Sequence, residues 1–277
     1  MILKETLYHA RQVLAANDID DAPLEGELLL RQTLKFNRVQ LYQNLEQRIT
    51  PEQQDILQEL IERRIKGEPA AYINGYREFY GLDFYVNRDV LIPRPETEHL
   101  VDKSINMVQK HQKPLIADVG TGCGIIAVSL ALNLPRAKIY ATDISALALK
   151  VARLNCHKHG VSDRIKLIKG DMLEALPEPV DFIVANLPYV TQSELDVSSF
   201  EPLLALDGGI DGVEKIKRLC HQVSGKLLPG GCLLLEIGQG QREAVTTLLN
   251  NLFPTAGIEV TPDLSGIDRV VSMVLPQ

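Results

Sequence analysis

Apolar residues recur at helical steps through the opening section of the chain. Leu3, Leu7, Ala10 and Leu14 form one stripe, and Leu24, Leu28, Leu30 and Leu34 a second, the spacing expected of helix faces turned to a common core. In "ITPEQQDILQELIERRIKGEP", Thr50 is placed to cap a helix that Pro51 opens and that Gly67 and Pro69 close. No alternating strand pattern interrupts this section, so residues 1–74 are read as a small helical bundle. Residues 75–93 differ in texture. "YREFYGLDFYV" is aromatic-rich, and Gly81, Leu82 and Asp83 offer a turn between two short strands, a hairpin connector.

Residues 94–277 open on a helix that follows the two prolines of "VLIPRPETEHLV", then alternate short apolar runs with amphipathic ones. "PLIADVG", "AKIYATD", "RIKLIKGD", "DFIVANLPY" and "GCLLLEIG" read as strands, with helical stretches between them. This rhythm predicts a mostly parallel sheet covered on both faces, an α/β fold. The last two apolar runs, "GIEV" and "RVVSMVL", lack an intervening helix and predict an antiparallel edge pair.

Charge then narrows the partners. With 29 Lys and Arg against 36 Asp and Glu, the net charge is −7, and a protein that grips a nucleic-acid backbone would ordinarily carry a basic excess. No direct nucleic-acid binding is expected. The four cysteines form no C-x-x-C pair, as in reduced chains that use thiols as small apolar groups. "MILKETLYHA" has no signal-peptide pattern, and "IIAVSLALNL" falls well short of the roughly 18 residues of a membrane span. No membrane association is expected, and the cytoplasm is the expected location.

Chemistry concentrates at strand ends. "ADVGTGCGIIAV" sets Gly120, Gly122 and Gly124 between a strand and a helix, where absent side chains let backbone turn tightly and approach a ligand. Asp143 ends the next strand, 19 residues beyond Gly124, where a carboxylate can accept from both hydroxyls of a ribose. Asp171 follows the third, placed for an adenine edge. Singly, each acid could be a helix cap; in succession they predict an adenosine-containing cofactor. Ile125 stands where a dinucleotide fingerprint wants its third glycine, and no Gly-Lys-Ser/Thr follows. "DVGTGCG" resembles the first motif of class I methyltransferases, which bind S-adenosylmethionine. The resemblance implies a Rossmann-like, seven-stranded sheet. It also implies that Asp118, Gly120, Thr121, Gly122, Cys123 and Gly124 face the methionine end, Asp143 the ribose, and Asp171 with Met172 the adenine.

The fourth strand ends in Asn186, Leu187, Pro188 and Tyr189. A carboxamide oxygen and a neighbouring main-chain carbonyl suit a group with two N–H bonds to donate, and Tyr189 offers a flat face for a planar group. "NLPY" resembles the Asn-Pro-Pro-Tyr signature of amino-methyltransferases, with Leu187 in place of the first proline. It is compatible with DNA adenine, rRNA guanine or protein glutamine as acceptor. "VLIPRPETEHLV", "FEPLLALDGGIDGVEKIKRL" and "LLLEIGQGQ" narrow the choice: with the helical section and hairpin they resemble the release factor glutamine methyltransferases, the PrmC/HemK family. That resemblance implies methylation of the glutamine amide in the Gly-Gly-Gln loop of class 1 peptide chain release factors. It makes Asn186, Leu187, Pro188 and Tyr189 the substrate and catalytic site, with Asn186 also beside the cofactor. The helical bundle becomes a docking surface for the release factor. Alternative acceptors are a ribosomal-protein glutamine or a nucleic-acid amine, and the non-enzyme alternative is a cofactor-binding interaction module.

Other features carry less. Arg94, Glu96 and Glu98 lie either near the cofactor or substrate entrance or in a helix-start charge cluster. Cys156, His157 and His159 in "NCHKHG" sit too close on one helix end to converge on a metal, and read as a solvated helix terminus. Glu236 either touches the site or simply ends its strand.

Overall fold

The computed structural model describes residues 1–196 and 198–277. The chain divides into two compact units, Met1–Tyr76 and Arg77–Gln277.

The first unit is helical: α1 (Leu3–Ala15), α2 (Ala22–Leu34), α3 (Arg38–Gln43), α4 (Pro51–Ile65) and α5 (Ala70–Asn74). Leu3, Leu7, Ala10 and Leu14 all point into its core. The α2 stripe departs from the expected one. Leu24 is exposed and Leu28 half-buried, while Ala22, Gly26, Leu29 and Leu30 face inward. The reason is a close helix crossing: a Cβ on Gly26 would lie 3.2 Å from the Arg11 main-chain nitrogen, so α2 turns its smallest residues towards α1. Thr50 caps α4 as its hydroxyl accepts from the Gln53 N–H at 3.2 Å.

The second unit begins with a hairpin, β1 (Tyr76–Phe79) and β2 (Leu82–Tyr85). Its turn sits earlier than Gly81-Leu82-Asp83. Tyr80 and Gly81 have φ of 54° and 70°, the paired positive values of a two-residue turn that matches strand twist, so Leu82 and Asp83 belong to the strand. After α6 (Thr97–Val108) come β3 (Leu115–Val119), α7 (Ile125–Asn133), β4 (Lys138–Asp143), α8 (Ala146–Lys158), β5 (Ile165–Lys169) and β6 (Val180–Ala185). α9 (Glu214–Gln222), β7 (Leu227–Glu236), α10 (Arg242–Leu252), β8 (Gly257–Pro262) and β9 (Asp268–Val274) complete the chain.

Seven strands form one sheet in the order β5-β4-β3-β6-β7-β9-β8. The first five are parallel; β9 runs antiparallel to both β7 and β8. The expected antiparallel pair therefore forms, with β9 inserted and β8 left at the edge. Two apolar clusters, one under Leu130 and Phe182 and one under Leu219 and Leu233, cover the faces. Strand order reverses at β3, which pairs with β4 on one side and β6 on the other. In open α/β sheets the crevice at the carboxyl ends beside such a reversal receives the ligand. Among the described residues no helix is long and apolar enough to cross a membrane.

Candidate active site

Register alone gathers the site. Val119 pairs with Thr142 and with Ala185, and Ala185 with Leu235. One residue further on, Gly120, Asp143, Asn186 and Glu236 stand side by side at the carboxyl edge. A cavity of about 200 Å³ opens there, and Gly120, Gly122, Asp143, Asp171, Met172, Asn186, Leu187 and Pro188 all line it.

The glycine loop is built from main chain and one buried acid. Gly120, Gly122 and Gly124 have φ of 72°, 56° and 87°, a region that costs other residues roughly 1–2 kcal/mol. Asp118 is fully buried; its Oδ2 accepts from Thr121 Oγ1 at 2.6 Å and from the Ala127 N–H at 3.0 Å. Burial pushes its carboxyl up to about 7, against those two bonds. Asp118 and Thr121 hold the loop to the first turn of α7 without lining the cavity. Gly124 sits against Ala152, 3.3 Å from the position of a Cβ, and so serves helix packing. Cys123 is buried too, its thiol pushed to about 12 by burial, and Asn155 Nδ2 donates to its carbonyl at 2.8 Å.

Asp143 is held at both oxygens, Oδ2 by the Gly122 N–H (2.9 Å) and Oδ1 by the Ser145 N–H (2.8 Å). Burial raises its pKa. Main-chain donors thus orient the carboxylate at the cavity wall. Ile144 and Met172 supply apolar walls to the same cavity. This donor set fits an adenosine group: a fixed acid for the ribose, apolar flanks for the base, and side-chain-free backbone beyond. Asp171, expected to face an adenine, lines the cavity and is ion-paired with Arg218 of α9.

The NLPY turn is braced from several elements. Asn186 Nδ2 donates to Thr97 Oγ1 of α6 at 2.9 Å, and no described protein group donates to its Oδ1. Leu187 is buried, its Cδ2 3.1 Å from where a Gly120 Cβ would be, so the side chain that replaces proline fills the space against the glycine loop. Tyr189 lies outside the cavity lining. Its hydroxyl donates to Glu236 Oε1 at 3.3 Å, and burial beside that carboxylate pushes the phenol up to about 12. Gln241 Nε2 donates to the carbonyls of Tyr189 (3.0 Å) and Gly212 (3.1 Å). A Cβ on Gly208 would lie 2.7 Å from Tyr189 Cα, and one on Gly212 2.6 Å from its carbonyl oxygen. The glycines of "DGGIDG" and the glutamine of "GQGQ" are thus the clamp on the turn.

Against known proteins, residues 5–75 match the PrmC N-terminal domain and residues 100–206 the methyltransferase small domain. A release factor glutamine methyltransferase of Moorella thermoacetica is 42% identical over 275 residues, 97% of each chain. One of Koribacter versatilis is 41% identical over 279 residues, 98% of each. The chain belongs to the release factor glutamine methyltransferases. The fold of this family member is also that of a ribosomal protein L11 methylase from Lactobacillus delbrueckii subsp. bulgaricus. The two superpose with TM-score 0.53 at 20% identity, over 69% of this chain and 84% of that one.

Residues outside the expected set also build the site. Thr97 carries Asn186, and nothing in its immediate sequence sets it apart from a helix-start threonine. Glu201 Oε1 accepts from the Ile92 N–H at 2.9 Å, and Oε2 pairs with Arg94 at 2.5 Å, which joins "IPRPETE" to "FEPLLAL". The recurrence of an acid in one motif and an arginine in the other was the available signal. Glu98 lies elsewhere: it accepts from the Tyr80 N–H at 2.8 Å and braces the hairpin turn. Glu96 stays close enough to raise the pKa values of Tyr189 and Glu236. The "NCHKHG" helix end is not simply solvated. Lys158 Nζ donates to the Asp83 carbonyl at 2.6 Å, and His159 Nε2 lies 3.0 Å from the same oxygen, which pins the hairpin.

Proposed function

We propose that the chain transfers the methyl group of S-adenosylmethionine to N5 of the glutamine in the Gly-Gly-Gln motif of class 1 peptide chain release factors. The observation that carries this reading is the fixed polarity of Asn186. With Nδ2 committed to Thr97 Oγ1, Oδ1 is the atom left for an acceptor, and the Leu187 carbonyl follows it in the turn.

S-adenosylmethionine, held by the glycine loop, Asp143, Met172 and Asp171, supplies an electrophilic sulfonium methyl. The protein's work lies on the acceptor. An amide nitrogen is a weak nucleophile because its lone pair is delocalised into the carbonyl. Two acceptors that grip its N–H bonds orient the NH2 group and favour the positive charge that develops as the N–C bond forms. The N–H becomes acidic in that process, so no strong base is required, and one proton leaves nitrogen to solvent. Tyr189 supplies a rigid flank, fixed by Glu236 and Gln241.

The helical unit, whose Tyr8 and Val39 are exposed, serves as the release-factor docking surface, and the reaction takes place in the cytoplasm. Tritiated S-adenosylmethionine incubated with release factor, ribosomes and DNA tests the assignment. Label should enter the release factor and disappear when the loop glutamine is replaced by alanine. Label confined to ribosomal protein or to nucleic acid overturns it.

A further inference from the structure

Glu236 ends β7 directly beside Asn186, is 1% exposed, and its Oε2 has no partner of ordinary hydrogen-bond geometry. A buried acid in that state costs the fold stability. The Tyr189 hydroxyl donates to its Oε1 at 3.3 Å, and the fully buried Thr97 hydroxyl lies near enough to hold its pKa down. An ionised carboxylate only accepts, so a hydroxyl that closes on the unpartnered Oε2 must donate. Once the single Thr97 proton is spent on Glu236, the Thr97 oxygen can only accept, and the group opposite it is the Asn186 NH2.

On the reading of the site given above, we propose that Glu236 is a positioning residue whose negative charge, relayed through Thr97, keeps the Asn186 carboxamide oxygen turned to the substrate amide. A neutral side chain at 236 can donate to Thr97. The hydroxyl is then free to donate to Asn186 Oδ1, and the flipped carboxamide presents N–H to N–H. The groups that face Glu236 agree with such a role. Burial raises its pKa to about 7, Glu96 adds to the rise, and Thr97, Tyr189 and Arg269 oppose it. Arg269 is itself paired with Asp263 at 3.0 Å. Tyr189, pushed to about 12, keeps its proton and remains a donor.

Glu236→Gln is the first test, with release-factor methylation and calorimetric cofactor binding as readouts. Wild-type kcat should rise with pH through about 7. The variant should lose that inflection and at least about tenfold in kcat, with cofactor affinity and KM little changed. Its melting temperature at pH 8 should equal or exceed that of wild type, since a buried charge is removed, so misfolding is checked directly. Thr97→Val should reproduce the loss and Thr97→Ser restore most of it. The Asn186 side-chain amide resonances in 15N NMR read the relay with no acceptor protein, and should shift across pH 7 in wild type but not in Glu236→Gln. Wild-type kcat and inflection in Glu236→Gln, or full kcat in Thr97→Val, would overturn the relay. Should release factor prove not to be the acceptor, the functional reading falls and the NMR titration alone decides the relay.

Discussion

The glycine loop and the NLPY turn lie in van der Waals contact at one sheet edge, yet they are held by opposite means. The loop is secured by chain close in sequence: Asp118 reaches Thr121 and Ala127, three and nine residues away, and Asp143 and Asn155 bond it from 21 and 32 residues on. The turn is secured from afar, Asn186 by Thr97 across 89 residues and Tyr189 by Glu236 across 47. Shorter-range anchorage makes a cradle complete once β3, α7, β4 and α8 have come together. Long-range anchorage makes the acceptor site a product of the finished fold. Binding the donor and aiming the acceptor should therefore be separable by mutation.

The largest separation should come from Asn186→Ala. Loss of one preorganised polar group at a developing charge costs about 10²–10³ in kcat, and calorimetry should find cofactor affinity nearly unchanged. Equal loss of both would remove Asn186 from its role. Gly120→Ala should do the reverse. A left-handed alanine costs roughly 1–2 kcal/mol, and its Cβ would press on Leu187 at 3.1 Å, so cofactor affinity should fall about tenfold. Gln241→Ala strips a donor from two carbonyls of the turn clamp, a loss of about 1–3 kcal/mol, seen as a lower melting temperature and reduced kcat with cofactor affinity retained. Arg218→Ala should be the mildest: an exposed ion pair is worth about 0–1 kcal/mol, so stability should hold while the freed Asp171 changes cofactor affinity slightly.

pH adds a further contrast. Asp118, Asp143 and Glu236 all have pKa values raised by burial. Each binds its proton more tightly folded than unfolded, so its contribution to stability is complete below the unfolded pKa and is lost as pH rises through the folded one. Melting temperature should fall from about pH 4 to about pH 7, between the unfolded and folded values of Asp118 and Glu236, and level off above.

The same contrast explains what could be read before folding. The strand–loop–helix rhythm and the Gly120, Gly122 and Gly124 turn obey local rules, and element order, the parallel sheet and the clustering of Asp143, Asp171 and Asn186 follow from strand ends alone. Thr97, Glu201 and Gln241 obey none. Their meaning depends on register and on chain brought back from 29 to 109 residues away, as with Glu201 and Ile92 across 109. The α2 stripe misled for a related reason: a leucine count cannot see that Gly26 lets two helices close upon one another. In the hairpin, a tyrosine accepted the positive φ that sequence rules would assign to glycine or asparagine.

All four cysteines are buried, with thiols pushed to about 11 for Cys156 and about 12 for Cys123, Cys220 and Cys232. They therefore constitute an internal clock for breathing of the sheet. A disulfide reagent added to the native enzyme can react only as fast as each segment opens, and the order of labelling would rank the cofactor loop, α8, α9 and β7 by how readily each comes apart.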